Sequence, residues 1–227
     1  MSLLNPKRMP ILSSAYSKPP FYLFHPHLET IVPSIWRQVP EIHYRRERID
    51  TPDGDFLDLD WAELLGSPAC VVISHGLEGS TERHYVKGLV KAFHLQGISA
   101  LAWNNRSCGE EMNRGPLLYH HGASYDLETV VMHLLQARKY EKIYLVGVSM
   151  GGAQTLKYLG EKGTQLPSKI KAAAVHSTPC NLADSAATLH RKANTVYKNK
   201  FLGKLKKKVR LKAEQFPELI DLGPWRA

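Results

Sequence analysis

The sequence has few cysteines: three in 227 residues, widely spaced at Cys70, Cys108 and Cys180. An odd number at this spacing predicts neither a disulfide framework nor a C-x-x-C metal site. There is no run of about 18 apolar residues that would span a membrane. The proline-rich first thirty residues also lack the continuous apolar segment of a secretory signal. These absences argue against disulfide-stapled and membrane-spanning proteins and predict a cytoplasmic location.

Acidic residues are missing from 191–212, a segment that carries ten lysines and arginines. The whole chain has a formal net charge of +9, so the remainder is left near neutral, at −1. The basic character is therefore local, and few aromatic residues are interleaved with the lysines. This distribution argues against nucleic-acid binding.

The rest of the sequence is typical of one α/β domain, with 43% hydrophobic and 22% charged residues. Short apolar runs predict buried strands, and runs with helical spacing lie between them. Pro-Asp-Gly predicts a turn between two further short strands. This alternation predicts a doubly wound, mostly parallel sheet that begins with an antiparallel hairpin, with ligands at the carboxyl ends of its strands. The predicted strands are 41–49, 56–61, 69–74, 98–103, 143–146 and 170–176. Three of them, 69–74, 143–146 and 170–176, are predicted to be buried. The predicted helices begin near 81 and 122, and the second ends near 140.

The chain is organised around residues 142–160, KIYLVGVSMGGAQTLKYLG. An apolar strand, a glycine-rich turn and a helix follow one another, which is the context that a G-x-S-x-G motif requires. Gly147 and Gly151 let the chain turn sharply, and Gly152 keeps the helix close to the sheet. Ser149 is then exposed at a helix N-terminus and is the candidate nucleophile. The alternative is a turn that merely permits packing.

Five motifs together resemble the YheT-like branch of the α/β-hydrolase superfamily. They are HPHLET (25–30), PDGDFLDLDW (52–61), HGLEGS (75–80), NRSCGEEMN (105–113) and GVSMGG (147–152). The resemblance implies a serine esterase that needs no cofactor. Eukaryotic relatives act on acyl esters and phospholipids or transfer medium-chain acyl groups. The family usually has a glycine where this chain has Ser107, which affects the loop backbone.

The resemblance also implies an oxyanion hole beside the nucleophile. Its donors would be the backbone amides of Leu77 and Met150, with Gly76 allowing close approach. His75 precedes this loop, and the resemblance gives it a structural role rather than that of a general base.

Other candidate polar residues have simpler interpretations. Metal binding is not predicted, because no carboxylate lies at ligand spacing from the paired histidines. Acids in the first turn of a helix are stabilised by its dipole. The histidines are His25, His27, His120 and His121, and the acids are Asp126 and Glu128.

The triad acid and histidine are not predicted in this chain. The superfamily order is serine, acid, histidine, and His176 precedes both Asp184 and Asp221. His190 follows Asp184, but both lie in the insertion that forms a helical cap in this family. Six strands are counted and two more are expected, so about 90–100 residues carrying the acid and base are expected beyond Ala227. The alternative is a naturally shortened, inactive relative that binds lipid or protein.

Apolar residues recur every three or four positions in the basic segment, which predicts an amphipathic helix. The first interpretation is a cap helix that covers the active site and has solvated lysines, because the family places a cap there. The alternative is peripheral contact with an anionic membrane through Lys204, Lys206, Lys207 and Lys208. The apolar positions are Phe201, Leu202, Leu205, Val209, Ala213 and Phe216.

The predicted organisation is an N-terminal irregular arm (1–40), an α/β-hydrolase core with six strands (41–180) and a cap segment (181–227). The predicted function is cleavage of small-molecule carboxylic esters through an acyl-enzyme on Ser149. Acyl transfer to an alcohol would use the same intermediate, so the sequence leaves that possibility open.

Overall fold

The computed structural model describes residues 18–39, 42–137 and 139–223. The chain divides into two compact units, residues 1–38 and 39–227. In the first unit, helix α1 spans Pro26–Trp36, and the side chain of His25 caps it by accepting a hydrogen bond from the His27 amide. The prediction of an irregular arm is therefore wrong over these residues. The helix was missed because Pro33 interrupts the pattern expected of a helix interior. The arm's first 17 residues lie outside the described residues.

The second unit contains a six-stranded sheet in the order β1-β2-β4-β3-β5-β6. β1 and β2 form the predicted antiparallel hairpin, β2 is also antiparallel to β4, and the other pairs are parallel. This mixed topology confirms the predicted fold class. The strands are β1 (Arg45–Asp50), β2 (Phe56–Ala62), β3 (Ala69–Ser74), β4 (Ser99–Asn104), β5 (Lys142–Val148) and β6 (Ile170–His176).

Five α-helices accompany the sheet. Helix α2 begins three residues later than the predicted start near Thr81. The Thr81 amide instead donates to Asn104 Oδ1 (3.1 Å), and its hydroxyl donates to Asp60. The helices are α2 (His84–His94), α3 (Ser124–Gln136), α4 (Met150–Lys162), α5 (Leu182–His190) and α6 (Thr195–Gln215), with short 3₁₀ turns at Gly163–Gln165 and Lys192–Asn194.

The core lies on both faces of the central strands. In β3, Cys70 and Val72 belong to the apolar cluster that includes residues of α3, while Val71 and Ile73 belong to the cluster that includes residues of α2. Alternate side chains of a strand point to opposite faces. Burial on both sides therefore explains why β3 is apolar throughout.

The last strand differs from its prediction. β6 was predicted to be buried, but only Ile170 is buried and the residues from Lys171 to His176 are exposed. β6 is an edge of the sheet, and no described strand pairs with its outer side. β6 is therefore an apolar strand even though its outer side is open.

Candidate active site

Ser149 lies at the bend between β5 and α4. Its φ of 53° and ψ of −117° fall in a strained region for a residue with a side chain. Its amide donates to His176 O (2.8 Å), which fixes the bend to the neighbouring strand. The residue is half-buried at the start of the helix, so part of its surface is open to solvent.

The glycines around Ser149 are required by close backbone contacts. A Cβ atom on Gly147 would come within 3.0 Å of Gly151 O, and one on Gly151 would come within 3.0 Å of Ser74 O. A Cβ on Gly152 would collide with Thr178 Oγ1. Larger residues therefore cannot fit at Gly147 and Gly151 without moving the backbone, and at Gly152 they would displace the side chain of Thr178.

The loop that follows β3 lies directly against the nucleophile. A Cβ atom on Gly76 would be 3.2 Å from Ser149 Cβ. Two tyrosines hold the backbone of this loop: the Gly76 amide donates to Tyr85 Oη (2.9 Å), and the Glu78 amide donates to Tyr119 Oη (3.2 Å).

The backbone amides of Leu77 and Met150 are not held by hydrogen bonds to described residues. Among the described residues, neither has a hydrogen-bond acceptor, whereas the amides of Gly76, Glu78 and Ser149 all have one. Met150 is the first residue of α4, where an N–H group has no partner within the helix. Two unengaged donors thus remain on the two chain segments that meet at Ser149.

His75 is fully enclosed beneath this loop. Its Nδ1 lies 2.7 Å from Gly76 O, and the Asn105 amide donates to its Nε2 (3.1 Å). Burial lowers the pKa of His75 to about 4. The imidazole is therefore neutral at pH 7, with Nδ1 as donor and Nε2 as acceptor, and it joins the loops that follow β3 and β4.

Strained backbone recurs along the carboxyl edge of the sheet. In the part of the chain that the structure describes, four residues other than glycine have a positive φ: Glu78, Ser107, Ser149 and Ser177. Each lies after a different strand of the parallel part of the sheet, β3, β4, β5 and β6. Such strain concentrates at functional sites, which marks this edge as the candidate site.

Ser107 is the position at which the sequence departs from the family's glycine. Its φ of 58° lies in the region that glycine adopts most easily. Its hydroxyl group donates to Asn113 Oδ1 and accepts from the Asn113 amide (3.1 Å). These bonds hold the loop closed in spite of the strained backbone.

A buried ion network next to this loop was missed by the sequence analysis. Arg106 Nη2 is 2.7 Å from Asp126 Oδ1, and Arg106 Nη1 is 2.6 Å from Asp53 Oδ2. The guanidinium group lowers the pKa of Asp53 to about 2. Asp126 was assigned to the helix dipole, but its main partner is this arginine. The one signal in the sequence was a charged residue, Arg106, in the loop that follows the strand β4.

Helix α6 contacts the site through Leu205, which packs in one cluster with Leu77, Cys108, Tyr119 and Met150. An apolar wall therefore borders Ser149 on the side of α6.

The prediction that the lysines of α6 are solvated is wrong for two of them. Lys208 Nζ lies 2.8 Å from Glu78 Oε1, and the Lys208 side chain is 14% exposed. Lys212 is fully buried and donates to Asn113 O. These two lysines attach α6 to the loops that follow β3 and β4.

Ser149 Oγ has no hydrogen-bond partner among the residues that the structure describes. The other candidate triad residues are engaged locally and exposed: His176 Nδ1 contacts the Ser177 hydroxyl (3.1 Å), and His190 Nδ1 contacts Ala186 O (2.8 Å). Asp184 lies in the first turn of α5. The structure thus does not bring these residues to the serine.

The histidines considered as metal ligands also have local contacts. His25 and His27 stack on each other, and the Gly122 amide donates to His120 Nδ1 (3.0 Å). Within the described ranges, no group of three histidine, cysteine or acidic residues is arranged to hold a metal ion. No helix in the same ranges is both long and apolar enough to cross a bilayer.

The sequence of this chain is similar to those of known proteins. The Hydrolase_4 family model, described as "Serine aminopeptidase, S33", matches residues 67–221. YheT from Escherichia coli (strain K12) is 31% identical over 86% of this chain and 58% of its own length. The chain belongs to the α/β-hydrolase superfamily, in its YheT-like branch.

Other α/β-hydrolases agree with this assignment. Phospholipase ABHD3 from Mus musculus is 28% identical over 94% of this chain and 53% of its own length. The structure of the Pyrococcus furiosus esterase Pf2001 superposes with a TM-score of 0.55 and 25% identity, covering 64% of this chain and 54% of that one. The chain thus spans little more than half the length of these relatives.

Proposed function

We propose that this protein is a serine hydrolase that cleaves carboxylic esters through an acyl-enzyme on Ser149. The observation that supports this most is the meeting of an accessible serine with two unengaged amides. Ser149 stands at a strained bend, and the Leu77 and Met150 amides lie on the two segments that adjoin it.

In the proposed reaction, Ser149 Oγ attacks the carbonyl carbon of the ester. The carbonyl oxygen becomes negatively charged and accepts hydrogen bonds from the Leu77 and Met150 amides, which are fixed before the reaction begins. The tetrahedral intermediate then expels the alcohol and leaves the acyl group on Ser149. Attack by water releases the acid and restores the hydroxyl group.

A general base must accept the proton of Ser149, and an acid must orient that base. His75 is unsuitable, because both of its ring nitrogens are engaged by backbone groups and burial keeps it neutral. We therefore propose that the acid and base come from a part of the protein downstream of residue 227, as the family layout predicts.

The substrate class follows from the apolar wall and from the relatives. Leu77, Met150 and Leu205 offer apolar surface next to the nucleophile, which favours the acyl part of an ester. ABHD3 is named a phospholipase and Pf2001 an esterase, and both names fit ester cleavage.

Labelling with a fluorophosphonate probe tests the nucleophile. We expect weak or no labelling of the 227-residue chain and strong labelling of a version extended with its downstream residues. Ser149→Ala should abolish labelling of the extended form. The control is Ser177→Ala, which removes another serine with positive φ and should leave labelling unchanged. Product analysis with an added alcohol would separate hydrolysis from acyl transfer.

The second candidate is a catalytically silent module that binds lipid or protein. It is favoured by the lack of any histidine or carboxylate bonded to Ser149 Oγ in the described residues. An extended form that remains unlabelled while folded would support this candidate and contradict ester hydrolysis.

Peripheral contact with an anionic membrane is a separate proposal. Lys204, Lys206 and Lys207 are exposed on α6, whereas Lys208 is directed to Glu78. We expect any attraction to anionic vesicles to depend on the exposed lysines. Co-sedimentation that is unchanged when they are neutralised would contradict this proposal.

A further inference from the structure

A cleft of about 440 Å³ lies between α6 and the loops that follow β3 and β4. Its basic side chains belong to α6 and to Arg83, the residue before α2. Cys108 belongs both to this cleft and to the cluster that contains Met150, so the cleft adjoins the candidate active site. The charged and hydroxyl residues that matter here are Ser80, Arg83, Lys204, Lys207 and Lys208.

The acidic residues of the cleft already have partners. Glu78 is paired with Lys208 (2.8 Å), and its Oε1 also accepts a hydrogen bond from the Tyr119 hydroxyl group. Glu110 is 3.4 Å from Arg46, and Glu111 is 3.0 Å from Arg48. Both arginines belong to β1, outside the cleft, where they also pair with Asp60 and Asp58. The carboxylates of Glu110 and Glu111 therefore contact cations other than the lysines of α6.

Three cationic groups remain without an acidic partner among the described residues: Arg83, Lys204 and Lys207. Arg83 Nη2 donates to the carbonyl oxygen of Glu78 (3.2 Å), which fixes its position without cancelling its charge. Burial and the nearby charge of Arg83 lower the pKa of Lys204. The cations therefore repel one another, and a bound anion would relieve that repulsion.

We propose that this cleft binds a phosphate group, either free or carried by an organic phosphate ester. A phosphate group offers three oxygens and a charge of about −1.5 to −2 at pH 7, which suits an arginine and two lysines around one cleft. A carboxylate has less charge and fewer acceptors. The inference concerns binding alone and does not depend on the proposed ester hydrolysis.

The test is calorimetric titration of the full 227-residue chain at constant ionic strength. The probes are inorganic phosphate, 1-hexanoyl-glycerol 3-phosphate and the uncharged 1-hexanoylglycerol. We expect Lys204→Gln/Lys207→Gln to weaken phosphate-dependent binding about tenfold or more. Lys204→Arg/Lys207→Arg should retain it. The control is Lys142→Gln/Lys192→Gln, which loses the same charge at exposed positions outside the cleft and should bind within about twofold of the parent.

The outcomes distinguish the sources of the phosphate. Binding of inorganic phosphate that is lost in the cleft variant would show that free phosphate is sufficient. Binding of the phosphate ester alone, lost in the same variant, would show that the group must be carried by a larger molecule. The proposal is overturned if neither phosphate compound binds, if the cleft and control variants weaken equally, or if the uncharged ester binds as well as its phosphate. Circular dichroism would establish that each variant is folded.

Discussion

At the scale of single residues, the site is built from conformations that most side chains avoid. Ser149 and Ser107 adopt positive φ angles, and Gly147 and Gly151 approach other backbone segments too closely for a side chain. The surrounding structure must therefore hold these residues in place. Substitutions at single positions can separate the contributions of close backbone contacts, backbone strain and hydrogen bonds to the free energy of unfolding.

Gly151→Ala should destabilise the protein by about 3 kcal/mol or more, because its Cβ would collide with the backbone oxygen of Ser74. The matched control is Gly160→Ala in the same helix, where no atom lies within 4 Å of the added carbon. That substitution should stabilise the protein by about 0.5–1 kcal/mol through helix propensity. Urea denaturation would measure both changes, and an equal effect at the two positions would contradict the close-contact argument.

Ser107 allows backbone strain to be compared with hydrogen bonding. Ser107→Ala keeps the strain and loses both bonds to Asn113, so we expect a loss of about 1–2 kcal/mol. Ser107→Gly loses the same bonds but relieves the strain, so it should be about 1 kcal/mol more stable than the alanine variant. Chemical denaturation would test this order, and an alanine variant as stable as the glycine variant would contradict it.

The buried His75 gives the stability a defined pH dependence. Its pKa is about 4 in the folded state, compared with about 6.5 in an unfolded chain. The unfolded state therefore binds the proton more readily. This contribution to stability is complete above about pH 6.5 and is lost as the pH falls towards 4. Between pH 7 and 5 the free energy of unfolding should fall by about 2 kcal/mol from this group.

The variant His75→Asn removes that titration. The difference in unfolding free energy between the parent and this variant, measured in urea at pH 7 and pH 5, isolates the contribution of the imidazole. His190→Asn changes an exposed histidine and should reproduce the pH dependence of the parent. A parallel pH dependence in the parent and His75→Asn would show that the buried imidazole is not responsible.

The residues of the bend at Ser149 could be found from the sequence, since a strand, a glycine turn and a helix lie within one short segment. The partners of Arg106 and Lys208 could not be found in the same way. Arg106 binds Asp53, and Lys208 binds Glu78. These pairs are far apart in the chain and meet only after folding. Local periodicity carries no signal of such contacts.

At the scale of secondary structure, α6 combines an apolar stripe with inward lysines. The stripe predicted the helix and its packing through Leu205. The sequence did not show that Lys208 and Lys212 face the core, because lysine is normally solvated. Burial of these ammonium groups depends on acceptors supplied by other loops, Glu78 and Asn113 O.

Lys208→Ala should release α6 from the loop after β3. It leaves the carboxylate of Glu78, which is 4% exposed, without its cation, and we expect a loss of about 2–4 kcal/mol. Lys207→Ala on the same helix removes an exposed lysine and should change stability by less than about 0.5 kcal/mol. Limited proteolysis near α6 together with urea denaturation would measure both effects. Equal protection in the two variants would show that the ion pair does not hold the helix.

At the scale of the whole molecule, the positions of the strands along the chain followed from the sequence more reliably than their environment did. Each strand was predicted within a few residues, because the Pro-Asp-Gly turn marks the hairpin and apolar runs identify the other strands wherever they lie in the sheet. The exposure of β6 was not predicted. An apolar run is the same whether a neighbouring strand covers it or not, and only the complete topology distinguishes a central strand from an edge.

The open side of β6 leads to the last prediction. From Ala172 to Val175 the strand is apolar and exposed, and no described residue pairs with its outer backbone groups. Exposed apolar edge strands promote pairing between molecules. We therefore expect the 227-residue chain to self-associate as its concentration rises, as measured by light scattering after size-exclusion chromatography.

A charge on the edge should oppose this pairing. Ala173→Lys should lower the associated fraction several-fold, because a lysine would be desolvated between two paired edges. Ala186→Lys, at an exposed position of α5, adds the same charge away from β6 and should leave association unchanged. A parent chain that stays monomeric at all concentrations, or two variants that respond alike, would show that association does not proceed through this edge.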